Sequence, residues 1–172
     1  MTSEPNDITR RALLSRVAVA LGAFLSAALG IPVIGAAISP AGRREEAPWI
    51  TLGPLSGFAI GEPRMVQFGI SRPDGYLTTN SPRSVWVYRP DANNLLVYNA
   101  RCTHLGCLVN YRSESASFLS PCHGGVFAAS DGHVVDGPPP RPLDRLDHRM
   151  DGEVLQVQYR DFLVGVPNQV AL

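Results

Sequence analysis

Arg101-Cys102-Thr103-His104-Leu105-Gly106-Cys107, answered by Ser120-Pro121-Cys122-His123-Gly124-Gly125, is the stretch that decides how the chain reads. These two boxes hold all three cysteines and two of the four histidines. Cys102 and His104 stand two apart, and Cys107 follows three later. Cys122 and His123 are adjacent, beyond a turn-rich gap. Thiolates and imidazoles gathered in this way suit iron–sulfur, zinc or copper chemistry. Three is an odd number of cysteines. One disulfide plus one thiol is the simplest count, and that thiol needs a role or an inert home.

Outward from the boxes the pattern is β. Upstream, Trp49-Ile50-Thr51-Leu52, Met65 to Ile70, Val85-Trp86-Val87-Tyr88 and Leu95-Leu96-Val97-Tyr98 are short apolar runs, rich in β-branched and aromatic residues. Turns are expected at Gly61-Glu62-Pro63, Pro73-Asp74-Gly75, Asn80-Ser81-Pro82 and Pro90-Asp91. Downstream, Val154 to Tyr159 follows Asp151-Gly152 and alternates as a half-buried hairpin strand does. There is no repeat and no convincing soluble helix. These residues predict an all-β, antiparallel domain over 49–172, barrel-like or sandwich-like. The Cys/His segment, about 100–143, reads as an insertion between flanking strands.

Further out lies an apolar run. Residues 17–38, VAVALGAFLSAALGIPVIGAAI, contain no charge. As a helix they span about 33 Å, enough for the core of a bilayer. Pro32 is expected to kink that helix. The run exceeds a secretory signal's apolar core, and Ala36-Ala37-Ile38-Ser39-Pro40-Ala41 lacks a clean A-x-A site, which favours an uncleaved transmembrane anchor. Thr9-Arg10-Arg11-Ala12-Leu13-Leu14 is similar to a twin-arginine export signal, although Arg10 and Arg11 also serve as a positive-inside flank. Either way residues 1–16 read as a cytoplasmic tail, with the domain on the far side of a prokaryotic plasma membrane. Residues 39–48, SPAGRREEAP, read as a hinge linker.

Composition agrees with this plan. A formal net charge of 0 leaves no basic excess, so nucleic acid is excluded as an obvious partner. Fifteen prolines and sixteen glycines favour turns and short strands over long helices. A length of 172 residues allows one folded domain and an appendage.

C-T-H-L-G-C, then P-C-H-G-G, then Gly137-Pro138-Pro139-Pro140-Arg141-Pro142-Leu143 resembles a Rieske iron–sulfur protein. Within that family it is similar to the membrane-anchored, quinol-oxidising subunits of cytochrome bc and b6f complexes. The resemblance extends over the whole chain, from export signal to proline loop. It implies a Rieske-type β domain with an inserted cluster-binding subdomain, and a [2Fe-2S] cluster with two thiolates on one iron and two imidazoles on the other. Carried onto this chain, Cys102, His104 and His123 are implied as ligands. Cys107 and Cys122 are implied as a disulfide tying the loops together, suited to an extracytoplasmic compartment. Pro138, Pro139 and Pro140 would form a stiff cover over the cluster, with Leu105 beside them on a docking surface. His133 and His148 match no motif position and read as surface or strand residues.

One position departs from the family pattern. The remaining thiolate belongs at residue 120, where this chain has Ser120. A serine hydroxyl is a harder and far more basic donor than a thiol. Three outcomes follow, in order of preference: a clusterless Rieske fold, Ser120 as an oxygen ligand of an altered cluster, or Cys122 diverted to iron at the expense of the disulfide. A second departure concerns tuning. High-potential relatives place a Ser and a Tyr hydroxyl two and four residues after the second-box His. Here those positions are Gly125 and Phe127, without side-chain donors.

The implied function is electron transfer in a dimeric bc-type complex. Quinol bound by a partner cytochrome b gives up one electron, with His123 or His104 accepting its hydrogen bond and proton. The domain then swings on the linker to a c-type haem. The missing donors imply a low potential, suited to menaquinol. Competing expectations are a clusterless structural or assembly subunit, and the Rieske subunit of another exported oxidoreductase such as an arsenite-oxidase-like enzyme. Zinc is disfavoured, because Cys102, His104 and His123 belong to a loop pair built for two irons.

Overall fold

Thr9 caps the first helix: its Oγ1 accepts a hydrogen bond from Ala12 N at 3.4 Å, satisfying one of the orphan N–H groups of the first turn. The computed structural model describes residues 9–42, 47–74 and 77–172. The chain divides into two units, Met1–Glu46 and Ala47–Leu172. In the first, α1 runs Arg10–Gly42. It therefore starts before and ends after the uncharged run, and residues 10–16 and 39–42 are helical. Pro32 lies inside α1 without ending it. The stretch Arg10–Ala37 is long and apolar enough to cross a membrane. Residues 43–46, the charged centre of the expected linker, lie outside the described residues.

The described residues of the second unit form ten strands in three antiparallel sheets. β1 (Trp49–Pro54), β10 (Val154–Gln158) and β9 (His148–Asp151) form one sheet in that order. β2 (Arg64–Asp74), β3 (Leu77–Tyr88) and β4 (Leu96–Asn99) form the second. β5 (Asn110–Arg112), β6 (Ser117–Ser120), β7 (Gly125–Ala128) and β8 (Val134–Asp136) form the third, which falls in sequence between β4 and β9. The expected all-β antiparallel class is what the domain shows, with a 3-10 turn at Leu55–Gly57.

One expected turn is strand instead. Asn80-Ser81-Pro82 sits inside β3, with Pro82 opposite Gly69. β4 pairs only with Val85–Tyr88, so that part of β3 has an open edge and a missing N–H costs no ladder bond. Pro73 and Asp74 likewise continue β2, paired with Thr78 and Leu77. Gly75, the last residue of that expected turn, lies outside the described residues.

β3 serves two cores at once, because successive strand residues point to opposite faces. Val85 and Val87 enter a core with Phe58, Val97, Leu155, Val157 and Tyr159. Trp86, on the other face, enters a second core with Tyr98, Cys102, Val109, Phe118, Phe127 and Leu143. Trp86 Nε1 also donates to Val109 O at 3.0 Å, pinning the chain just beyond the first box. Cys102 thus sits in a hydrophobic core, not on a loop surface.

A buried acid ties the first box to the C-terminal segment. Asp161 accepts from Arg83 at 3.0 Å, Arg101 at 3.4 Å and the Tyr159 hydroxyl at 3.0 Å. Burial alone raises its pKa, but the bonds from Arg83 and Tyr159 and the charges of Arg83 and Arg101 outweigh it, holding the carboxyl below its ordinary value. Burial, then the Asp161 charge, pushes the Tyr159 hydroxyl up to about 12. A depressed folded-state pKa adds stability that is fully present above the ordinary carboxylate value of about 4 and is lost as pH falls through the lower folded value. Asp161→Asn is therefore expected to lower stability by about 2–3 kcal/mol at neutral pH. Urea unfolding of both proteins across pH should show that difference shrinking below about pH 4.

Candidate metal centre

The backbone closes each box before any ligand is considered. Arg101 pairs with Leu108 in an antiparallel bridge, making the first box a closed loop. Inside it Cys102 N donates to Cys107 O at 2.7 Å and Gly106 N to Cys102 O at 2.8 Å. Gly106 takes φ +78° at the loop's tip, a conformation that a β-carbon disfavours. The second box is the β6–β7 turn, where Ser120 faces Gly125 and Gly124 N donates to Ser120 O at 3.1 Å. The Cys107–Cys122 disulfide joins the two loops. This is the pairing the resemblance implied. It commits Cys122 to sulfur and overturns the outcome in which Cys122 turns to iron.

The remaining donors converge in two tiers. The inner tier is buried. Cys102 is the free cysteine, and it is buried. Ser120 is 1% exposed. A β-carbon built on Gly125 would lie 3.6 Å from Cys102 Sγ, and Gly125 is the cross-strand partner of Ser120. Directly opposed residues project to the same face, so the Cys102 thiol and the Ser120 side chain share one face of the β6–β7 turn. The outer tier is an imidazole pair, with the rings of His104 and His123 4.8 Å apart at 85°. His123 is exposed and His104 half-buried.

Two buried side-chain polar atoms among the described residues have no hydrogen-bond partner: His104 Nδ1 and Ser120 Oγ. Leaving such an atom unpaired costs about 1–3 kcal/mol, so each calls for a physical reason. Both lie in the two boxes. No group of three or more His, Cys, Asp or Glu side chains among the described residues is placed to hold a metal ion.

The proline loop presses on the second box. A β-carbon on Gly125 would meet Pro139 Cγ at 2.6 Å, and one on Gly137 would meet Gly124 O at 2.8 Å. Pro139 is buried, while Pro138, Pro140 and Leu105 are exposed. Phe127 is fully buried two residues beyond Gly125 on the same face of β7. His133 bonds Asp131 at 2.6 Å on the surface, and His148 is exposed on β9.

The sequence reading missed the clamp behind the first box. Thr103 Oγ1 donates to Arg141 O at 2.7 Å, and Gly165 N to Thr103 O at 2.9 Å. Arg141 forks onto Asp144 at 2.9 and 2.8 Å and also donates to Val166 O at 2.7 Å and Leu163 O at 2.9 Å. Arg141 and Asp144 are both buried. The available signal was an Arg and an Asp three apart within the proline loop's continuation.

The Rieske [2Fe-2S] domain profile matches residues 60–150 of this chain. The chain belongs to the Rieske [2Fe-2S] domain family. It is similar to the menaquinol:cytochrome c reductase iron-sulfur subunit of Geobacillus thermodenitrificans, 27% identical over 90% of this chain and 94% of that one. It is also similar to the cytochrome b6-f complex iron-sulfur subunit of Chlorobaculum thiosulfatiphilum, 29% identical over 86% of this chain and 74% of that one. Among solved structures, the plasma membrane Rieske protein PetC3 of the cyanobacterium Synechocystis PCC 6803 aligns with a TM-score of 0.44 at 23% identity, over 64% of this chain and 99% of that one.

Rieske membership implies a [2Fe-2S] cluster, and the donors fit one. A buried thiol, an imidazole pair and two buried unpartnered atoms lie in the tied loops. The odd member is Ser120, an oxygen where the family pattern has sulfur.

Close packing of the Rieske loops gives a test. Gly125→Ala drives a methyl into Pro139 and is expected to cost about 1–3 kcal/mol. Pro139→Ala removes the colliding ring atoms. The double variant should therefore lose less stability than the two single losses summed, measured by denaturation of the full chain.

Proposed function

We propose that this Rieske protein is the electron-transfer subunit of a membrane-bound, cytochrome bc-type complex, taking one electron from menaquinol and passing it to a c-type haem. The observation that carries the reading is the tiered site: buried donors within, and an outward imidazole pair at the tip of two disulfide-tied loops. Similarity to menaquinol:cytochrome c reductase and b6-f iron-sulfur subunits over most of both chains supports it.

Cys102 would hold one iron of the cluster, and His104 and His123 would hold the other. A bound cluster supplies a one-electron carrier. The exposed His123 ring, or His104 beside it, accepts the hydrogen bond and proton of a quinol held by cytochrome b. Leu105, Pro138 and Pro140 form the apolar docking surface. The disulfide and the Thr103–Arg141 clamp keep the two imidazoles in register. α1 is the single-pass anchor, with Arg10 and Arg11 on the cytoplasmic side as export signal and the domain on the extracytoplasmic side. The linker between α1 and the domain supplies the hinge, and the working complex is a dimer. A clusterless structural or assembly role rests on Ser120 alone and leaves His104 Nδ1 and Ser120 Oγ buried without purpose.

The test is association and turnover. Full-length protein, tagged and solubilised mildly from its own membranes, is expected to bring down b- and c-type haem, seen in reduced-minus-oxidised spectra. Menaquinol should reduce the c-type haem in that preparation. Haem-free protein recovered in full from those membranes would count against the proposal.

Electrostatics gives a second test. Neither Gly125 nor Phe127 has a side-chain hydrogen to donate towards a cluster sulfur. Without donors the extra negative charge of the reduced state is less well stabilised, so the midpoint potential is low. Phe127→Tyr adds one donor on the face that carries Gly125. Redox titration is expected to show the potential raised by about 60 mV, one hydrogen bond's worth of differential stabilisation. An unchanged potential with an intact cluster would contradict this account.

A further inference from the structure

We infer that Ser120 Oγ is the fourth cluster ligand, so that the buried iron is held by one thiolate, Cys102, and one serine oxygen, opposite His104 and His123. The inference rests on the cluster-bearing reading above and replaces the expected sulfur with oxygen.

Buried hydroxyls in this domain ordinarily find a partner. Thr103 Oγ1 donates to Arg141 O at 2.7 Å, and Ser117 Oγ bonds Ser115 Oγ at 2.7 Å. Ser120 is equally buried, at 1% exposure, and its Oγ bonds nothing. The other atom in that condition is His104 Nδ1, on a residue the motif already makes a ligand. Two unpartnered atoms in two tied loops share one explanation, a group that both of them bind.

Position agrees. Ser120 ends β6 opposite Gly125, and Cys102 Sγ lies beside Gly125 on the face to which Ser120 projects. No sulfur is left to replace Oγ, because the chain has three cysteines and two of them form the disulfide. Coordination exchanges the Oγ–H bond for an Oγ–iron bond, and the proton leaves to water. No electron moves in that exchange, so no oxidant or reductant is needed. The serine oxygen is a harder and more basic donor than thiolate and favours ferric over ferrous iron. It lowers the potential in the same direction as the missing donors at Gly125 and Phe127.

The experiment compares the full chain, purified in detergent, with Ser120→Cys and Ser120→Ala. The readouts are iron and acid-labile sulfide per chain, Mössbauer spectra, and EPR after dithionite reduction. The wild type is expected to hold about two irons and two sulfides and to give a rhombic Rieske signal. Ser120→Cys should keep that stoichiometry, with altered g values, a raised midpoint potential, and a Mössbauer change confined to the iron without imidazoles. Ser120→Ala should lose iron by about tenfold or more, with its disulfide and circular dichroism unchanged.

A Ser120→Ala protein that keeps wild-type iron and spectrum overturns the inference and leaves the carrier function standing. So does a Ser120→Cys spectrum identical to wild type, and that comparison holds even if the alanine variant does not fold. Wild-type protein without iron, with iron restored in Ser120→Cys, defeats the cluster-bearing reading itself.

Discussion

The site depends on one covalent constraint. The first box and the β6–β7 turn are short loops with little core of their own. The Cys107–Cys122 bond, 15 residues apart in sequence, makes them one body. Closing a loop of that size removes denatured-state entropy equivalent to about 3 kcal/mol in the chain-entropy model. Its geometric effect matters more. It holds a donor set drawn from both loops together, with the inner donors dry and the imidazoles towards solvent.

Around that bond the packing leaves little freedom. Pro139 lies against Gly125, and Gly137 against the Gly124 carbonyl. The Arg141 guanidinium gathers the Asp144 carboxylate and two carbonyls of the C-terminal segment. Such a buried pair is weak evidence for net stability, but it fixes where the proline loop and the chain's end sit relative to Thr103. Rigidity of this kind suits a carrier, because electron transfer is fastest to a centre whose ligands need not rearrange.

Much of this was legible in the residues. Cysteine and histidine spacing announced the boxes, alternation announced β10, and β-branched and aromatic content announced the centre of β3. Resemblance, not spacing, named the disulfide partners. What escaped had non-local causes. Asn80-Ser81-Pro82 looks like a turn until the open edge of β3 is known. α1 exceeds its uncharged core because Arg10 to Arg16 and the Thr9 cap favour helix whatever the hydropathy. The Thr103–Arg141–Asp144 clamp could not be read, since Thr103 and Arg141 are 38 residues apart. Ser120 was visible at once, but its burial and lack of a partner were not, and these shift the balance from an empty fold towards an oxygen-ligated cluster.

β3 is a party wall between two cores, with Val85 and Val87 on one side and Trp86 on the other. Neither compartment can be breached without stripping packing from the other. The domain is thereby built to melt as one cooperative unit rather than as a base and a detachable tip. Packing lost on either face of β3 is felt by the buried Cys102 and its neighbours on the other, so the shared strand gives the site no private route to unfolding.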